Sequence, residues 1–192
     1  TSTIIVTPDT LTTYTVTGID TLGCTNVGYI TINTKPLPEI EITSTLTSIC
    51  EGDGTLLSAS GGISYIWGDG TTDANNVVYP DSTTTYIVTG YGSNGCFNTD
   101  TMTINVHANP DITFTMEPPY YCEGDTVELT ATGGQYYHWN TGQDGNMILI
   151  YPDSATVYSV TVTNQWDCSN TAEINVEVYD KPNVEILTNK TD

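Results

Sequence analysis

The chain has 192 residues, with three Lys or Arg against 23 acidic residues and a formal net charge of -20. That balance opposes the phosphate neutralisation on which nucleic-acid binding rests and disfavours anionic membrane surfaces, so neither nucleic acid nor membrane insertion is expected of it. Thr, Ser, Asn, Gly and Asp dominate, a composition suited to β-proteins with many turns, and no stretch shows the 3.6-residue period of a helix.

The predicted elements recur. Cys50-Glu-Gly-Asp returns as Cys122-Glu-Gly-Asp, an offset of 72 (122 minus 50), and Leu57 to Trp67 returns as Leu129 to Trp139. Pro8, Pro80 and Pro152 keep the interval without a gap, as do Tyr14, Tyr86 and Tyr158, and Cys24, Cys96 and Cys168. A fixed period of this length marks a tandem array. Residues 1–37 are expected to be the C-terminal part of one repeat, 38–109 and 110–181 complete repeats, and 182–192 the first strand of another, in a longer parent chain.

Within 38–109, Glu39 to Thr43 alternates to put Ile40 and Ile42 on one face of a first strand, and Glu51-Gly-Asp is a turn. Thr55 to Ser58 opens a second strand. Gly61-Gly62 bends the chain into a third, Ser64 to Trp67, whose Trp belongs in the core. A short strand at Asn76 to Tyr79 meets the turn Pro80-Asp-Ser, where Pro presets φ and Asp can bond backbone amides. Thr84 to Thr89 is a strand with Tyr86 and Val88 on one side. After a Gly90–Gly95 hairpin loop, the last strand runs from Cys96 to Val106, with Met102, Ile104 and Val106 inward. Seven or so short strands with a Cys, a Trp 17 residues on (67 minus 50) and a second Cys indicate an all-β fold of tandem immunoglobulin-like β-sandwiches. The junctions Lys35 to Pro38, Ala108 to Pro110 and Asp180 to Pro182 are short and contain Pro, so the repeats are expected to stack as a semi-rigid rod.

Repeat position organises the five cysteines. Cys50 with Cys96, and Cys122 with Cys168, are the predicted disulfides, one closing each repeat, and Cys24 is a second cysteine whose mate would lie upstream. Disulfides imply an oxidising compartment. A metal site of paired thiolates is the competing reading, but no Cys-x-x-Cys or nearby His supports it.

Cys-Glu-Gly-Asp, the block Leu-x-Ala-x-Gly-Gly-x-x-Tyr-x-Trp, Tyr-Pro-Asp-Ser with Thr84 to Gly90, and Asn94-Gly-Cys96 together resemble the Ig-like or PKD-like repeats of very large secreted and cell-surface proteins of the Bacteroidota. These include adhesins and gliding-associated proteins exported by the type IX route. The resemblance covers the whole chain. It implies an extracellular location and a stalk or filament whose partners are neighbouring repeats, other copies in a filament, or surface glycans.

A second resemblance is to the O-glycosylation motif of such proteins, Asp-Ser or Asp-Thr followed by a residue such as Ala, Leu, Val, Met or Thr. Thr10, Ser82 and Ser154 match it at one equivalent place in each repeat, and Thr21, Thr101 and Thr126 match it singly. A plain Pro-Asp turn explains the same recurrence. Asn189-Lys-Thr191 fits an N-glycan sequon, a chemistry not expected in such a source.

The two His residues, His107 and His138, do not recur, and no nucleophile, base and orienting carboxylate converge in the pattern, so no enzymatic activity is expected. No cofactor is expected other than calcium, for which Asp69, Asp73 and Asp144 offer oxygen ligands. Their spacing matches no EF-hand or RTX loop, and solvated acidic turns explain the same residues. Tyr65, Trp67 and Tyr86 are read as core rather than as a sugar-stacking platform, with Tyr79 and Tyr151 less settled by pattern. The function expected is a structural extracellular stalk in a large adhesin-like protein. A carbohydrate- or cell-surface-binding array, accessory domains of a secreted hydrolase, and exchange of strands between chains are the competing readings.

Overall fold

The computed structural model describes residues 3–117 and 120–186. Every regular element in it is a strand: β1 (Thr12–Ile19), β2 (Thr25–Ile32), β3 (Glu41–Ser44), β4 (Ser48–Cys50), β5 (Thr55–Ser60), β6 (Ser64–Trp67), β7 (Asn75–Val78), β8 (Thr84–Tyr91), β9 (Phe97–His107), β10 (Thr113–Glu117), β11 (Val127–Thr132), β12 (Tyr136–Trp139), β13 (Met147–Ile150), β14 (Thr156–Thr163) and β15 (Ser169–Val176). Among the described residues no helix is long and apolar enough to cross a membrane.

The sheets are β1-β2, β3-β5-β7, β4-β9-β8-β6, β10-β11-β13 and β12-β14-β15. Among β10–β15 the first, second and fourth strands lie together and the third, fifth and sixth lie together, and β3–β9 divide the same way once the short β4 is set aside, a two-sheet partition of the immunoglobulin kind. The short β4 adds to the second sheet by running parallel to the end of β9, pairing Cys50 with His107. Strand starts repeat with the sequence: β5 and β11 begin at Thr55 and Val127, and β6 and β12 at Ser64 and Tyr136, each 72 apart (127 minus 55, 136 minus 64).

Packing divides the chain into two compact units. One comprises Thr1–Thr45, Leu56–Val77 and Thr85–Met102, the other Leu46–Thr55, Val78–Thr84 and Thr103–Asp192. In the second unit Val127, Leu129, Ala131, Ile148 and Ile150 from one sheet meet Trp139, Tyr158, Val160, Val162 and Val176 from the other. The period-two alternation of these strands is what delivers one face to the core. Trp139 is fully buried, its Nε1 donates to the Gly145 carbonyl at 2.9 Å, and Phe114 lies tilted against it at 6.1 Å. Trp67 in the first unit is 2 % exposed and donates to the Asp73 carbonyl at 2.9 Å. The expectation of a core Trp holds in both places.

Gly61 and Gly133 explain the Gly-Gly bend. Both have positive φ, and a Cβ at either would meet a backbone oxygen, Glu39 O at 1.8 Å or Asp111 O at 2.1 Å. Only Gly fits there without moving the backbone.

The predicted disulfides within each repeat do not form. The structure bonds Cys50 to Cys168, 118 residues apart, and leaves Cys24, Cys96 and Cys122 as thiols. The reason is strand geometry. Cys168 directly precedes β15, whereas Cys122 forms a parallel bridge with Tyr179, past the far end of that strand. The eight residues of β15 alone span about 26 Å, and a disulfide needs Cα atoms within about 7 Å. Cys96 and Cys50 stand in the same relation to β9, one just before its first residue and the other paired with its last.

Residues 182–186, expected to begin a strand, form none, with Val184 and Ile186 exposed. A strand needs a paired neighbour to satisfy its backbone, and none lies beside them among the described residues. The rest of that segment, with the Asn189 sequon, lies outside the described residues.

Candidate functional site

The most elaborate polar cluster in the second unit surrounds the Cys50–Cys168 bond, where the chain passes from β9 through His107, Ala108, Asn109 and Pro110 toward β10. Pro110 has no amide hydrogen, and the other groups of this connection need partners. They find them on both sides. The His107 carbonyl accepts from Glu51 N at 2.9 Å, and the Asn109 side chain donates to the Glu51 carbonyl at 3.0 Å. From the β14–β15 hairpin, Asn164 donates to the Ala108 carbonyl at 2.9 Å and Asn170 to the Pro110 carbonyl at 3.0 Å.

The disulfide crosses this connection with a Cα separation of 5.5 Å. Cys168 is 1 % exposed. The His107 ring stacks on Trp166, with centroids 4.7 Å apart and planes at 10°, and its Nε2 lies 2.9 Å from Ser48 Oγ. His107 is thus held by a flat aromatic contact and a hydroxyl, a packing role that the pattern of recurrence did not disclose.

The hairpin loop carrying Cys168 is preorganised. Asn164 accepts from the amides of Trp166 and Cys168 through Oδ1, at 2.9 and 3.1 Å, its own amide donates to the Cys168 carbonyl at 2.9 Å, and Asp167 takes the left-handed φ of 63°. Such side-chain-to-backbone bonds are what Asn supplies in tight turns.

The other sequence-predicted residues are dispersed. Thr10, Ser82 and Ser154 all sit in exposed turns, and in each the Thr two residues on donates to their carbonyl, at 2.8, 2.7 and 2.8 Å. Thr21, Thr101 and Thr126 are also exposed. Asp69 accepts from Thr71 N and from the buried Asn76 side chain, and the bond from Asn76 is the main cause holding its carboxyl below the usual range. The Asp73 carbonyl serves Trp67, and Asp144 pairs with His138 at 2.7 Å. Among the described residues no three His, Cys, Asp or Glu side chains gather as a metal site. Tyr79 and Tyr151 are exposed, with Tyr79 laid against Gly54. Tyr65 and Tyr137 are pinned by bonds from their hydroxyls to Gly62 and Gly134, and Tyr158 is buried.

Sequence reasoning missed the open groove of about 710 Å³ lined by Gln135, Tyr136, His138, Asp144, Asn146 and Thr161. Comparing the repeats would have found it: at an interval of 72, Gln135 and His138 stand where the first complete repeat has Ile63 and Ile66.

No protein-family model matches the chain, and no curated protein matches it. Similar solved structures include murine CEACAM1b, at 13 % identity over 74 % of this chain and 100 % of that one with a TM-score of 0.36. A Ca2+-stabilised adhesin with which an Antarctic bacterium binds ice has 13 % identity over 90 % of this chain and 58 % of that one, with a TM-score of 0.39. Three N-terminal domains of the outer capsid protein Hoc of bacteriophage RB49 have 20 % identity over 72 % and 58 %, with a TM-score of 0.38.

Proposed function

We propose that the chain is a structural segment of an extracellular, adhesin-like surface protein, a stalk of tandem Ig-like repeats joined to one another covalently. The observation that carries this reading is the Cys50–Cys168 bond across the 107–110 connection, supported by the four hydrogen bonds made there by Asn109, Asn164, Asn170 and Glu51. A bond placed between consecutive repeats limits extension at the joint, where a stalk is otherwise most compliant. Disulfides persist outside the reducing cytosol, which supports an extracellular location. The net charge of -20 keeps neighbouring chains apart and soluble. Thr10, Ser82 and Ser154 are proposed O-glycan sites, since exposed turns accept a bulky sugar without disturbing a core.

Single-molecule pulling on the chain from its two ends tests the reading. With the bond intact, residues 51–167 are shielded, and reduction should release them, adding roughly 40 nm of contour at about 3.5 Å per residue. Equal extension with and without reductant would reject a tensile role.

One observation favours a second reading, a carbohydrate-binding module. The groove beside β12 exposes Tyr136 next to Gln135, Asn146 and the His138–Asp144 pair, amphipathic and polar groups of the kind that fix a sugar. Binding of a glycan panel that vanishes in Tyr136→Ala would establish it.

A further inference from the structure

The three thiols occupy the same structural settings as the two bonded cysteines. Cys122 lies 72 residues after Cys50 (122 minus 50) and repeats its surroundings. Cys50 pairs in parallel with His107 and Cys122 with Tyr179; Glu51 N donates to the His107 carbonyl at 2.9 Å and Glu123 N to the Tyr179 carbonyl at 3.0 Å. The turn that follows is also the same, with Asp53 N on the Cys50 carbonyl and Asp125 N on the Cys122 carbonyl, both at 3.0 Å.

Cys96 lies 72 before Cys168 (168 minus 96), in a hairpin loop closed the same way: Gly92 N donates to the Cys96 carbonyl at 2.8 Å, as Asn164 N does to that of Cys168 at 2.9 Å. The loop also reaches the equivalent connection. Asn94 donates to the Pro36 carbonyl at 2.8 Å and Asn98 to the Pro38 carbonyl at 3.1 Å, where Asn164 and Asn170 serve Ala108 and Pro110. Cys24 closes a third such loop, its carbonyl accepting from Asp20 N at 3.0 Å.

The observed bond joins the first cysteine of one repeat to the second cysteine of the next, so its separation of 118 exceeds the interval of 46 within a repeat (168 minus 122) by one period of 72. Pairing within a repeat is closed to Cys122 twice over, by the length of β15 and because Cys168 is already bonded.

We propose that Cys122 and Cys96 are half-cystines of the same staple, each forming a disulfide with an adjoining repeat of this type. Cys122 bonds the second cysteine of the repeat that follows it, in a loop like Asn94-Gly-Cys96. Cys96 bonds the first cysteine of the repeat that precedes it, in a turn like Cys50-Glu-Gly-Asp, and Cys24 is of the same kind. Both Cys96 and Cys122 are partly exposed, as a thiol awaiting a partner must be. The oxidant is a disulfide donor, a dithiol oxidoreductase in its oxidised form or a small-molecule disulfide. One thiolate attacks a donor sulfur to give a mixed disulfide, the partner thiolate displaces the donor, and the donor leaves as two thiols carrying the two electrons and two protons lost by the cysteines. The array is then bonded at every joint, independently of whether it serves as a stalk.

The test is an extended chain carrying a further in-register copy of residues 110–181 after residue 181, oxidised with a glutathione redox buffer and mapped by mass spectrometry without reduction. The proposal predicts one additional disulfide, from Cys122 to the second cysteine of the added repeat at the separation of 118 seen for Cys50–Cys168, which is itself retained. Replacing that added cysteine by Ser should return Cys122 to an alkylatable thiol and change no other linkage. A converse chain, with a copy of residues 38–109 inserted before residue 38, should bond its added first cysteine to Cys96, which keeps the proposal testable if one extended chain does not fold. Cys122 or Cys96 remaining a thiol in a folded extended chain, or pairing inside its own repeat, overturns it.

Discussion

The hairpins β1–β2 and β14–β15 are built from matching residues, yet one is bare and the other forms a core. Tyr158 and Val160 stand 144 residues after Tyr14 and Val16 (158 minus 14, 160 minus 16). Val160 is fully buried and Val16 is 69 % exposed. Both hairpins keep full ladders of eight pairs, Thr12 to Ile32 through Ile19 to Thr25 in one and Thr156 to Val176 through Thr163 to Ser169 in the other. Backbone pairing and turn chemistry thus suffice to define the hairpin. Burial of its apolar face requires a second sheet, which β10-β11-β13 supplies to β14–β15 and which no described strand supplies to β1–β2.

The comparison predicts where the chain is sensitive, and the largest effect belongs to the bonded junction. Cys168→Ser removes a cross-link closing 118 residues and should lower stability by about 5 kcal/mol in the chain-entropy treatment, measured by denaturant unfolding, whereas Cys24→Ser in the bare hairpin should change nothing measurable. A comparable loss at both positions would mean that the bond does not hold the folded unit. Trp139→Ala empties the centre of the second core and should cost about 3–5 kcal/mol. Tyr121 works in the other direction. Its hydroxyl is buried without a hydrogen-bond partner among the described residues, and burial raises its pKa, so Tyr121→Phe should raise stability by about 1 kcal/mol.

Asp69 offers a smaller, pH-dependent effect. Its carboxyl is held below 3.8, first by the Asn76 bond, so its contribution is present above that value and lost as pH falls through the lower folded value. Asn76→Ala should move the Asp69 titration, followed by carboxyl NMR, upward toward 3.8. Smallest of all is Val16→Ala, expected within about 0.5 kcal/mol because the side chain is mostly exposed.

Much of this was legible in the sequence. Strict recurrence predicted matching strands, alternation placed Ile42, Val88 and Ile104 inside, and the recurring Trp67 and Trp139 marked the cores. The disulfide partners were not legible from the Cys-Trp-Cys spacing, since that pattern assumes cysteines facing the core from two opposed strands. Here Cys50 ends β4 just before a turn and Cys168 ends a hairpin loop. A cysteine before the Gly-Asp turn and a cysteine in the hairpin loop mark opposite ends of the last long strand, and its length of 11 residues in β9 already forbids closure within a repeat. The groove at Tyr136 was missed for a different reason: recurrence draws the eye to what is shared, and Gln135 and His138 are substitutions within the pattern.

Non-reducing peptide mapping of the 192-residue chain, refolded in a glutathione redox buffer and alkylated before digestion, tests the central claim most directly. Finding the Cys50 and Cys168 peptides linked, with Cys24, Cys96 and Cys122 alkylated, is the predicted result. Linkage of Cys50 to Cys96 and of Cys122 to Cys168 would contradict the account and return each repeat to a closure of its own.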